Sequence, residues 1–140
     1  MTQNIAGEPD TTSGSGTRDS RTLREPLMQF NLLDEIARLA GEPEWNERDR
    51  NSIVLAKDAR FRMLLTVLRS GARMTDEDGE ATLSIHLITG SATATRGRHS
   101  VMLAPGEIAV LEANSSWSLE ADHESAVLLT FSWPEELARV

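Results

Sequence analysis

From Gly71 to Trp133 the chain reads GARMTDEDGEATLSIHLITGSATATRGRHSVMLAPGEIAVLEANSSWSLEADHESAVLLTFSW, a train of short β-prone runs separated by turn-forming clusters. Leu83, Ile85 and Leu87 alternate with Thr82, Ser84 and His86. Successive strand side chains point to opposite faces, so this alternation sets one apolar row against a core. Five further runs follow: Ala92 to Arg96, Ser100 to Leu103, Ile108 to Leu111, Trp117 to Ala121 and Ala126 to Trp133. Gly and Pro interrupt before the roughly ten residues a helix needs. The pattern predicts an all-β barrel or sandwich.

The punctuation narrows the choice. Gly90 closes one strand, Arg96-Gly97-Arg98 turns the next pair, and Ala104-Pro105-Gly106-Glu107 turns another. Pro presets φ in such turns and Gly is free to take φ > 0. This order of strands and turns resembles the barrel of the cupin superfamily, over about half the chain at motif level and more loosely from Phe30 to Trp133. The resemblance implies a double-stranded β-helix, or jelly-roll barrel, over 52–133, with one short N-terminal helix at 31–40.

The first cupin motif is a Gly, five residues, His-x-His, a spacer, Glu, six residues and Gly. Gly71 and Gly90 fit its outer glycines, but Glu77, Gly79 and Leu83 stand at the two His and the Glu. In the second motif, Gly-x5-Pro-x-Gly-x2-His-x3-Asn, Gly106 fits while Glu112, Asn114, Trp117 and Ala121 fall on the other positions. A tight transition-metal site wants three or four imidazole, thiolate or carboxylate donors converging on one point. Glu77 facing a Leu and a Trp does not provide that set. The resemblance therefore implies a metal-free barrel without a cofactor. Its interior would be lined by Glu77, Leu83, Trp117 and Thr130, with Trp117 capping an apolar ligand, Glu77 and Thr130 orienting a polar end, and Leu83 forming wall.

Ahead of the barrel, residues 1–24 hold Thr, Ser, Gly and Asp with two scattered aliphatics. Such a segment cannot bury enough apolar area to offset its ordering entropy and is expected to be a disordered tail; 25–140 is expected to be one domain. Asn31 is a good N-cap, Asp34 and Glu35 occupy a first turn, Leu32, Ile36 and Leu39 recur at helical spacing, and Gly41 with Pro43 ends the helix. Its narrow apolar stripe places it on the outside of the barrel or across a subunit contact. Glu42 to Asn51 reads as a charged loop anchored by Trp45. Ser52 to Ala56 is a short strand, and Arg60 to Arg69 a longer one with apolar residues on both faces, hence a central strand.

Composition excludes several functions. The chain has 140 residues, no Cys and a formal net charge of −8, so disulfides, thiolate metal sites and a Cys nucleophile are ruled out. Nucleic-acid binding needs clustered Lys and Arg, and Arg96 with Arg98 is too small a group. No basic-then-apolar leader or run of about 18 apolar residues occurs, so no membrane contact is expected and the cytoplasm is the expected location. The turn Thr75 to Glu80 is too short for a calcium loop of the EF-hand type. No Gly-x-Ser-x-Gly nucleophile turn exists. His86 has the parity opposite to Leu83, Ile85 and Leu87 and belongs outside the barrel. The expected function is a metal-free module that binds a small apolar or mixed-polarity molecule, or serves interaction or regulation, without catalysis. The alternative is a metal-dependent dioxygenase or isomerase using Glu77 with displaced ligands such as Asp78, His86 or His99. A homodimer through the helix and an edge strand is compatible with both.

Overall fold

The computed structural model describes residues 25–76 and 79–134. Two short helices, α1 (Leu32–Ala40) and α2 (Pro43–Glu47), precede nine strands. The strands are β1 (Arg50–Asp58), β2 (Phe61–Leu68), β3 (Arg73–Asp76), β4 (Thr82–Thr89), β5 (Ala92–Arg96), β6 (His99–Leu103), β7 (Ile108–Leu111), β8 (Trp117–Ala121) and β9 (Ser125–Ser132). They form two antiparallel sheets, a five-stranded one ordered β1-β2-β9-β4-β7 and a four-stranded one ordered β3-β8-β5-β6. This is the expected jelly-roll architecture, and β2 lies inside its sheet as its two apolar faces require.

Strand register decides which side chains meet inside. Across the larger sheet, Leu64, Leu129, Ile85 and Ala109 stand in one row, and Thr66, Val127 and Leu87 in a deeper one. On the smaller sheet the matching rows hold Leu119 and Ala94, with Val101 exposed at the sheet edge, then Ala121, Ala92 and Leu103. Leucines and valines on the larger sheet against alanines on the smaller let the two layers approach and fill the space between them. Ile85, Leu87, Leu119, Val127 and Leu129 are fully buried there.

The outer face of the larger sheet carries a second cluster of Leu39, Trp45, Ile53, Leu55, Leu65, Val67 and Ala126, with Phe30, Leu32 and Ile36 packed on it. The helix therefore lies outside the sandwich. Asn31 caps it by accepting from the Asp34 amide at 3.0 Å. At its far end the buried Asn51 side chain donates to the Leu39 carbonyl and to Glu42, each at 3.0 Å. The first of these bonds adds to that from the Glu42 amide at 3.3 Å in satisfying the Leu39 carbonyl at the helix end. The segment around Trp45, expected as a loop, is the helix α2 started by Pro43. Five residues are too few to show helical periodicity. Trp45 covers the edge of the outer cluster, with the Arg69 guanidinium 4.1 Å from its ring centre.

At a bulge between Val54 and Ala56, Leu55 is the extra residue and keeps its place in the outer cluster, while Lys57 comes to stand directly opposite Arg62. At the free edge of β1, Arg50 bonds Asp49 at 2.9 Å and reaches the Arg73 carbonyl at 2.7 Å, tying the two sheets together. The hydrogen bond from Arg50 holds the exposed Asp49 carboxyl below its usual value. None of the helices among the described residues is long and apolar enough to cross a membrane.

The glycines placed on the motif frame, Gly71, Gly90 and Gly106, all take positive φ. At Gly90 a β-carbon would also strike the Glu124 carbonyl and lie 2.6 Å from Ser125 Cα. Gly90→Ala should therefore destabilise the fold by more than ~2 kcal/mol, the left-handed penalty and the clash adding. Urea unfolding followed by tryptophan fluorescence measures it.

Candidate functional site

The inner row nearest the start of β2 and the end of β9 differs from the rows beneath it. On the larger sheet it holds Arg62, Phe131, Leu83 and Leu111; on the smaller, Asp76, Trp117 and Arg96. Leu83 and Leu111 are buried like the leucines below them, but Arg62, Phe131, Asp76, Trp117 and Arg96 are too polar or too large to interdigitate in the same way. Between them lies an open pocket of about 410 Å³, lined by Arg62, Met74, Asp76, Trp117, Phe131 and Trp133 together with Thr75, Gly79, Glu80 and Ala81. Its volume falls in the range, about 300–1,000 Å³, that small-molecule sites occupy.

Three aromatic rings and one guanidinium define its character. Phe131 near the end of β9 and Trp133 just beyond it lie two residues apart and stack, with ring centres 5.8 Å apart and planes inclined by 18°. The Arg62 guanidinium sits over both, 5.8 Å from the Phe131 centre and 5.5 Å from that of Trp133. Trp117 closes the floor and is itself buried. Across the sheet, Arg96 donates to the carbonyls of Glu112 at 2.8 Å and Ala113 at 3.2 Å, which pins the loop leading into Trp117. Asp76 accepts from the Gly79 amide at 3.2 Å. The pocket thus combines aromatic surface with a cation on one wall and a carboxylate on the other.

The residues named from sequence are distributed differently from their expected grouping. Trp117 lines the pocket. Leu83 is buried in the inner core beside it and does not line the open space. Thr130 is a correction: it stands opposite Met63 and Ser84, in the row of Ala126 and Leu128 that packs against the outer cluster. The row of β9 that enters the interior is Val127, Leu129 and Phe131. Thr130 therefore cannot orient a ligand in this pocket. Glu77 and Asp78 lie outside the described residues. Sequence reading passed over Arg62, Phe131 and Trp133. Their signal was parity: Phe131 and Trp133 continue the row of Val127 and Leu129, and Arg62 continues that of Leu64.

The same coordinates test whether a transition metal fits the positions that the motif gives to ligands. At Gly79, in place of the second His, φ is +56° and a β-carbon would collide with the backbone of Ser115. Neither Leu83 nor Trp117 offers a donor to a cation. Asn114, at the motif's second Gly, takes a positive φ of 70°, so the turn keeps its shape without its glycine. His86 pairs across the outer face with Ile108 and Leu128, and His99 lies on the exposed edge strand β6. Among the described residues no three His, Cys, Asp or Glu gather where they could hold a metal ion. The residues described do not fit such an ion.

No protein-family model and no curated protein matches the chain. Solved structures do. A conserved protein of unknown function from Streptococcus pyogenes matches at a TM-score of 0.59 and 20% identity, over 63% of this chain and 78% of the other. A cupin superfamily protein from Desulfitobacterium hafniense matches at 0.56 and 19%, over 61% and 78%. The cupin domain of an XRE family transcriptional regulator from Enterobacter cloacae matches at 0.57 and 13%, over 63% of this chain and 100% of that domain. At these identities the likeness is one of fold.

Gly79→His restores a motif side chain at the cost of its backbone geometry. It should lower stability by more than ~2 kcal/mol and gain no thermal shift from added Zn²⁺, Ni²⁺ or Fe²⁺. Differential scanning fluorimetry with and without each ion checks both statements.

Proposed function

We propose that this chain, which carries the cupin fold, is a non-catalytic module that binds a small molecule of mixed polarity at the mouth of its sandwich, without a resident metal. The observation that carries the reading is the pairing of two features at one end of the fold. The motif's ligand positions among the described residues hold Gly79, Leu83 and Trp117, and beside them opens a pocket walled by Arg62, Trp117, Phe131 and Trp133. Aromatic faces and a few convergent polar groups are what small-molecule sites are built from. A general acid or base needs a titratable group poised against substrate, and a metal-dependent dioxygenase or isomerase needs gathered donors. The scattered positions of His86 and His99 speak against the second. The presence of this fold as one domain of a transcriptional regulator in Enterobacter cloacae is in keeping with a ligand-sensing role.

Protein purified without chelator should contain Fe, Mn, Ni and Zn far below stoichiometry by elemental analysis. Near-stoichiometric metal would reject the reading. In the same preparation a panel of small organic molecules should contain binders that raise the melting temperature and quench tryptophan fluorescence, both effects being lost in Trp117→Ala.

A second copy of the chain is the partner we propose. Ile108 and Val110 on β7 are 55% and 71% exposed, and Val101 and Met102 on β6 are 48% and 70% exposed. Both strands end their sheets, and among the described residues neither outer edge carries a ladder. An apolar strand with an unpaired edge is a template for another strand, and antiparallel pairing of β7 with its own copy satisfies two-fold symmetry. Leu33 on α1 is 65% exposed as well, but the apolar edge favours β7 over the helix as the centre of contact. Light scattering after size exclusion should give a dimer mass at micromolar concentration, and Val110→Lys with Ile108→Lys should give a monomer.

A further inference from the structure

We infer that the ligand of the mouth pocket is a small organic carboxylate, read by Arg62 with Lys57 beside it. The inference rests on the binding reading above and adds to it the chemical class of the ligand. Lys57 and Arg62 stand directly opposite each other on β1 and β2, a pairing created by the bulge between Val54 and Ala56. Directly opposed side chains share one face of a sheet, and two like charges so placed repel unless an anion sits near both. Among the described residues neither cation has a hydrogen bond or ion pair to a carboxylate.

Arg62 is nonetheless held in place. Its guanidinium rests over the stacked rings of Phe131 and Trp133, so the cation–π contact positions the group at the pocket while its N–H donors remain without an oxygen partner among the described residues. A guanidinium presents donors in a planar fork that matches a carboxylate two bonds at a time. The carboxylates that line the pocket come from other elements. Asp76 is on β3 of the facing sheet, and Glu80 follows the connection from it. A ligand anion is therefore directed to the Arg62 wall, and its apolar body to the rings of Trp117, Phe131 and Trp133. Charge-assisted bonds of this kind separate an acid from its neutral isostere by roughly tenfold or more in affinity.

Matched acid and amide pairs test this on the 140-residue chain: benzoate with benzamide, 4-hydroxybenzoate with 4-hydroxybenzamide, and phenylacetate with phenylacetamide, followed by tryptophan fluorescence and calorimetry. The acids should bind at least about tenfold more tightly than their amides and weaken as salt rises. Arg62→Gln should bring the acid-to-amide ratio close to one, Lys57→Gln should reduce it part way, and Arg73→Gln, opposite Glu120 on the exposed row of the smaller sheet, should leave it unchanged. Equal binding of acids and amides, or a ratio that survives Arg62→Gln, overturns the carboxylate inference and leaves the binding module standing. Failure of every acid and amide to bind overturns both.

Discussion

The packing of two inner sheet faces against each other governs the rest of this molecule. Because strand side chains alternate with period two, each strand has only one set of residues to give to that contact, and a shift of one residue would exchange the whole set for its polar neighbours. Leu83, Ile85 and Leu87 are given by β4, and Val127, Leu129 and Phe131 by β9. Where the facing strands provide alanines the layers close. Where they provide Trp117 and Asp76 against Arg62 and Phe131, the layers cannot close, and the space left over is the pocket. Core and site are the same arrangement seen at two depths.

The strands with polar partners on one side were the legible part of this sequence. The spans of β5, β7 and β8 follow directly from their turns, and the alternation of β4 announces its buried row. The cap at Asn31 and the stop at Gly41 likewise bound α1 within a residue. What alternation could not reveal lay where both faces of a strand are apolar. In β2 and β9 the outer face is covered by the helices, so hydrophobicity does not mark which row points inward. The cupin resemblance implies that Thr130, a polar group on a nearly continuous apolar strand, faces the interior, and in fact it follows Ala126 and Leu128 outward. For the same reason the shared parity of Arg62 and Leu64 does not by itself show that their row faces inward, and a strand-end arginine is common on any surface. The bulge in β1 is invisible to a period-two reading altogether.

The motif comparison carried different information about backbone and side chains. Backbone requirements persist as glycines with positive φ at Gly71, Gly90 and Gly106, and as Asn114 where a glycine would be expected. Side-chain requirements do not persist, and Gly79 shows the two are linked. Once the chain turns with φ positive and its backbone lies against Ser115, with the Asn114 amide donating to the Gly79 carbonyl at 2.6 Å, nothing larger than hydrogen can occupy that position. The loss of a donor there is written into the path of the main chain, and is more than an exchange of one side chain for another.

The extra residue in β1 has a bearing on how this scaffold tolerates changes in length. Before the bulge, Val54 pairs with Leu64; after it, Ala56 pairs with Met63. Excising Leu55 would restore an unbroken ladder and leave Ala56 opposite Met63 and Lys57 opposite Arg62, so the positive corner of the mouth would be kept while the outer cluster lost one side chain. Closing the bulge with every residue kept would instead set Ala56 opposite Arg62 and carry Lys57 to the other face, opposite Phe61. Related chains one residue shorter at this point would be expected to keep both the architecture and the pair of cations.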